Sequence, residues 1–310
     1  MCLAFFDSDV FLVGVDVQLS LPEDEFESLE VNAGIFCAAI IELKIEPFVT
    51  ELTSLQLIEN VFLPLEHPSP NGVEHKHSAI QEFFPPIKIF RIRAESPLLG
   101  TDSSLFRVAL FAATKCPRLI SLPWTSEGLE MARTVSSTER AEVPFELVLR
   151  AVLERKWEHA FLEIYRCMEF LFPFPKISEL KKRLNFAGSS VEVSESIEDI
   201  LGWRPIEEAA MQALFRSLQP ASVETFRQAL GIERSDVLDL NKAVANSLYR
   251  LRNDCVHFRP VQRRSNAHKK VKWEILLQEM LKAVNEFYSA YFPHESICHT
   301  AKLDTGSVGK

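Results

Sequence analysis

The sequence predicts an α+β protein, with a β-rich N-terminal domain followed by an all-α helical bundle. Two observations carry this. Up to residue 125, apolar side chains alternate with polar ones or gather in short β-branched runs, whereas from Val143 they step by three and four. Between the two patterns, residues 126–144 are polar and poorly periodic, with Ser136, Ser137, Thr138, Glu139 and Arg140 in the middle. A junction, a linker or a capping turn all fit that stretch. The expected division is a β-rich domain over 1–140, a bundle over 145–292 and a disordered tail over 293–310.

The elements follow in order. Val15, Val17, Leu19 and Leu21 alternate with Asp16, Gln18 and Ser20, a strand signature. Residues 35–45, 87–93, 105–111 and 119–122 are further strand candidates, residues 48–62 fit a helix or a strand, and the proline-rich segments at 67–72 and 85–86 read as loops. In the second half, Trp157, Phe161, Ile164, Met168 and Leu171 form a helical stripe that ends before Pro173 and Pro175. Ile206, Ala209, Ala210, Ala213 and Leu214 form a shorter one, with Pro205 suited to its first turn. Residues 222–230 make a small helix stopped by Gly231. Val237, Leu240, Val244, Leu248, Leu251 and Cys255 mark a long helix capped by Ser235, and Trp273, Leu277, Met280, Val284, Phe287 and Tyr291 mark the last. Such stripes describe an antiparallel bundle.

Composition narrows the function. At 310 residues, 47% hydrophobic and 25% charged, the chain is globular. Its formal charge of -9 is uneven: residues 1–144 hold 10 basic and 21 acidic side chains, the remainder 24 and 22. Only the second half suits contact with nucleic acid. The six cysteines are scattered without a CxxC pair and read as reduced thiols. The first residues lack the basic stretch of a secretion signal, and no apolar run nears the roughly 20 residues that span a bilayer. A cytoplasmic protein without membrane contact is expected. There is no GxGxxG, GxxxxGK[ST] or GxSxG, which removes support for nucleotide-binding loops and for the α/β-hydrolase elbow. His75 with His77, and His294 with Cys298 and His299, lack the paired spacing of a structural zinc site, so neither metal nor cofactor is expected.

Chemistry concentrates at residues 248–260, at the end of the long helix. Arginine holds a phosphate through a fork of donors, and histidine moves a proton near neutral pH. Arg252, Asn253 and His257 supply a guanidinium, an amide and an imidazole within six residues. Asn253 and His257, four apart, share a helix face with Tyr249, while Arg252 stands about 140° from His257 on an ideal helix. A helix end distorted near Pro260 and the length of the side chains close part of that gap; a symmetric dimer that packs two copies of this helix could close the rest. The basic run of Arg259, Arg263, Arg264, His268, Lys269, Lys270 and Lys272 follows, with no acidic residue between Phe258 and Trp273. It suits the phosphate backbone of RNA, as would a solvated loop. Plain helix termini also favour cationic side chains at this end. Cys255 lies on the opposite face from His257 and completes the core stripe. Glu163, Arg166 and Glu169 on the first bundle helix fit either a supporting shell for the site or a surface salt-bridge ladder.

These residues resemble the HEPN superfamily (higher eukaryote and prokaryote nucleotide-binding domains). Its signature is an arginine, a polar residue and, after a few more, a histidine at the end of a bundle helix, here Arg252, Asn253 and His257. The surrounding residues 248–259 are similar to bacterial members linked to phage defence and abortive infection, and residues 160–169 resemble the first helix of those domains. The resemblance spans roughly 145–292. It implies a homodimeric, metal-independent endoribonuclease that leaves a 2',3'-cyclic phosphate and a 5'-hydroxyl, acting in defence or as a toxin with an antitoxin or phage-derived trigger as partner. It implies catalytic roles for Arg252, Asn253 and His257, with RNA contacts at Tyr249, Arg259, Arg263, Arg264, Lys269 and Lys270. The alternative it leaves open is a non-catalytic RNA- or nucleotide-binding or dimerisation module.

Overall fold

The structure, a computed structural model, describes residues 1–6, 9–48, 81, 83–99, 104–116, 119–138, 142–234, 238–256 and 270–292. It is a mixed α+β fold, with a small antiparallel sheet near the N-terminus followed by a helical array. The strands are β1 (Cys2–Phe6), β2 (Asp9–Val15), β3 (Phe26–Leu29) and β4 (Ile87–Ile92), in the order β1-β2-β4-β3. The register pairs Cys2 with Val13, Phe11 with Arg91 and Phe26 with Ile92. Alternation sends Val10, Leu12, Phe90 and Ile92 to one face, where they form a core with Phe26. Arg91 ties three strands together through ion pairs to Asp9 and Glu27.

Several strand expectations are corrected. Residues 35–45 fall mostly in helix α1 (Ala33–Leu43). Asn32 caps it by accepting from the Ile35 amide at 3.0 Å, and Ala33, Ala38 and Ala39 favour the helix over the β-branched residues beside them. Residues 105–111 open helix α2 (Leu105–Lys115), capped by Ser104. Its residues from Arg107 to Thr114 are buried, so no polar face exists to reveal a helical period. Residues 119–122 form no strand, and β2 ends at Val15, the first residue of the alternation read as a strand. Leu19 is nevertheless buried in the sheet core, so the pattern reported burial without a ladder. The 87–93 candidate is β4. Most of 48–62 and the loop at 67–72 lie outside the described residues.

The polar stretch at 126–144 contains helix α3 (Ser126–Ser136), whose cap Thr125 accepts from the Gly128 amide at 3.2 Å. Next come α4 (Phe145–Leu153), α5 (Trp157–Glu169), α6 (Phe174–Leu184), α7 (Ser190–Leu201), α8 (Glu207–Phe215), α9 (Pro220–Leu230), α10 (Leu240–Val256) and α11 (Trp273–Tyr291). The stripes read from sequence fall on α5, α8, α9, α10 and α11; the α6–α7 hairpin carried no recognised stripe. Pro205 precedes α8 instead of sitting in its first turn, since Ile206 is the cap. Gly231 takes the left-handed conformation that closes α9, with φ 67°.

Two cores meet at α2. Val108, Phe111 and Ala112 pack on the sheet, while Leu110 joins Ala132, Val135, Phe161, Met168, Met280 and Phe287 in the bundle core. The bundle core thus recruits residues that precede position 140. Arg107, fully buried, donates from Nε to the Ser136 carbonyl at 2.8 Å and from Nη2 to the Pro97 carbonyl, joining α2 to the end of α3 and to the 3-10 turn Pro97–Leu99. Arg107→Leu leaves two inward carbonyls without their donor, and a urea melt should show a loss of about 3 kcal/mol. An unchanged midpoint would show that α2 does not depend on this side chain.

Candidate functional site

The site is built on the outer face of α10. Val244, Ala245, Leu248 and Leu251 point into the bundle core and are buried. Asp239 accepts from the Lys242 amide at 3.0 Å at the helix start; the Ser235 expected there lies outside the described residues. Two polar contacts fasten α10 to α8: Gln212 Nε2 donates to Asn246 Oδ1 at 2.8 Å, and Asn241 Nδ2 donates to the Phe215 carbonyl at 3.2 Å. With the inner face so held, Tyr249, Arg252 and Asn253 are left half-buried at the edge of the bundle.

Arg252 donates from Nη2 to Glu169 Oε1 at 3.1 Å and from Nη1 to Asn253 Oδ1 at 3.2 Å. The two charged side chains retain 23% and 29% exposure. Glu169 therefore reaches across from α5 and holds the guanidinium. Arg166 instead pairs with Glu163 along its own helix at 2.8 Å. Of Glu163, Arg166 and Glu169, only Glu169 makes a hydrogen bond to a site residue among the described residues; the other two pair with each other.

Sequence reasoning missed Tyr165 and Glu207. Tyr165 is 1% exposed, lies one turn before Glu169, and its hydroxyl has no hydrogen-bond partner among the described residues. Burial pushes its phenol well above the ordinary range, Glu169 pushes it further, and Arg252 pulls it back. Burial also raises the Glu169 carboxyl; Arg252 opposes this and Glu207, in the first turn of α8, adds to it. Arg252 thus sits beside a partly desolvated carboxyl and a buried phenol. The spacing of Tyr165 and Glu169 was visible in sequence, whereas Glu207 meets them only through the fold.

His257, Arg259, Arg263, Arg264 and Lys269 lie outside the described residues. Lys270 is exposed where the chain re-enters beside Gly231, and the Lys272 amide donates to the Ala229 carbonyl at 2.8 Å. The structure thus brings Arg252 and Asn253 into contact, sets Tyr249 on the same helix, and puts Lys270 at the end of α9. Cys255 packs against the core, and burial pushes its thiol up to about 12, which leaves it a poor nucleophile. Trp203 lies under the Lys176 ammonium at 5.6 Å and Arg204 pairs with Glu198, a structural arrangement. Among the described residues, no group of three His, Cys, Asp or Glu could hold a metal ion, and both histidine clusters noted in sequence lie outside them. No described helix is long and apolar enough to cross a membrane. No protein family, curated protein or solved structure gave a match to this chain.

The Glu169 carboxyl, raised in the folded state, binds its proton more tightly there than in the unfolded chain. Its contribution therefore favours folding at low pH and is lost as pH rises through its elevated pKa. Glu169→Gln keeps an acceptor for Arg252 and removes that titration. Chemical denaturation should show a change within about 1 kcal/mol at pH 7 and a flatter pH dependence just above the ordinary carboxylate range. An unaltered slope would place the titration elsewhere.

Proposed function

We propose that this protein is a metal-independent endoribonuclease of HEPN type, working as a homodimer in phage defence or as a toxin. The observation that carries the reading is the fork of Arg252, held by Glu169 and Asn253 at the bundle edge with two of its five donors engaged among the described residues. A guanidinium fixed this way is preorganised, and its remaining donors suit a phosphate.

The proposed reaction is attack of a ribose 2'-hydroxyl on the neighbouring phosphorus. A base takes the hydroxyl proton, the 2'-oxygen bonds to phosphorus, and the 5'-oxygen leaves with a proton from an acid. His257 fills one of these roles in each protomer. Arg252 neutralises charge on the phosphorane, and Asn253 holds Arg252 or the imidazole. The products are a 2',3'-cyclic phosphate and a 5'-hydroxyl. Tyr249, Arg259, Arg263, Arg264, Lys269 and Lys270 would track the RNA backbone.

A second reading draws on the same ion pair. Arg252, bonded to Glu169, also acts as a strut between α5 and α10, as a non-catalytic binding or dimerisation module would use it. Pure protein incubated with mixed RNA in excess chelator separates the two. The nuclease reading expects cyclic-phosphate and 5'-hydroxyl ends, a loss of about 100-fold or more in His257→Ala, and no cleavage of DNA. RNA left intact by the wild type would favour the module.

A further inference from the structure

Helices α6 and α7 form a hairpin held to the bundle through Phe174 in its core and Val191 against it. Phe174 and Ile177 are the buried residues of α6, and α7 has none. Large apolar side chains lie open there: Leu184 is 67% exposed, Phe186 50%, Ile200 79% and Leu201 72%. Between the helices a cleft of about 420 Å³ is lined by Leu180, Leu184, Phe186, Val193 and Ile197, with Lys181 and Glu192 also on its walls. Exposed apolar side chains along a cleft, as Leu184 and Phe186 are here, mark a contact surface.

The charges identify what it contacts. Helix α6 carries Lys176, Lys181, Lys182 and Arg183 against Glu179, whereas α7 carries Glu192, Glu195, Glu198 and Asp199 with no basic residue. Some are already used inside the hairpin: Lys181 Nζ donates to Ser190 Oγ at 3.0 Å, Arg183 pairs with Glu179, and Glu198 pairs with Arg204. Lys182, Glu192, Glu195 and Asp199 make no ion pair among the described residues.

We propose that this hairpin is a docking surface for a second copy of the chain, arranged about a two-fold axis that lays α6 of each copy along α7 of the other. A two-fold contact presents one patch twice. A surface basic on one helix and acidic on its neighbour becomes its own complement when turned by half a revolution. A partner of single sign, nucleic acid included, would be repelled by one of the two helices. The pairing also covers the apolar residues, giving an apolar centre with a charged rim. This contact is separate from any pairing through α10, and a chain that makes both associates in two steps.

Two charge-reversed full-length variants test it by sedimentation equilibrium. Lys182→Glu/Arg183→Glu makes both helices acidic; Glu195→Lys/Asp199→Lys reverses two of the acidic side chains of α7. The wild type should self-associate, and each variant alone should lose one association step, weakened at least about tenfold. An equimolar mixture should regain that step, because the side chains reversed in one variant then face those reversed in the other; recovery also shows that both variants fold. A wild type monomeric at every concentration overturns the proposal. So do variants that associate as the wild type does, or a mixture that fails to recover.

Discussion

The roll of α10 decides what the site contains. Val244, Leu248 and Leu251 are each worth about 1.5–3 kcal/mol when buried, and all three face the core. Turning the helix by one residue, about 100°, would expose them. The partly exposed Glu169–Arg252 pair, worth about 1 kcal/mol at most, could not repay that cost. Apolar burial therefore sets the orientation, and the ion pair refines it. Arg252 lies at the rim because the core residues leave it nowhere else to go.

The electrostatics then follow from where α5 and α8 sit. Glu169 pairs with the Arg252 guanidinium beside a buried phenol that makes no hydrogen bond among the described residues, and Glu207 acts on the Glu169 carboxyl from α8. Such a cluster is not optimised for stability, since a partly desolvated carboxyl and a buried hydroxyl without a partner among the described residues both cost free energy. Strongly perturbed groups gathered beside a held arginine are a pattern that functional sites share with structural ion-pair networks. An arginine with donors left over from that pairing among the described residues remains open to a second anion.

The helical half was legible in sequence where one face is buried and the other wet. Trp157 to Leu171 and Trp273 to Tyr291 show this, and α11 begins and ends on the first and last residues of its stripe. Legibility failed where that contrast disappears. Helix α2 is buried almost all round, so its run resembled a strand. Helix α7 steps Val193, Ile197 and Ile200 by four and three, but none of its residues is buried and the short stripe among acidic neighbours was passed over. Strands β1 and β3 are four or five residues long, too short for alternation to register. At the site, Arg252 and Asn253 were readable because they are adjacent on one helix. Glu169 was readable only as one of two possibilities, because 83 residues separate it from Arg252 and the helix that carries it could equally have held a surface ladder.

The central claim is that the guanidinium of Arg252, although engaged by Glu169, accepts an RNA phosphate. Binding of a non-cleavable 2'-O-methyl RNA across a salt series tests this without chemistry. Relative to the wild type, Arg252→Ala should bind about tenfold more weakly, and its salt slope should fall by about one. Identical affinity and slope in the two proteins would contradict the account and leave Arg252 a purely internal strut.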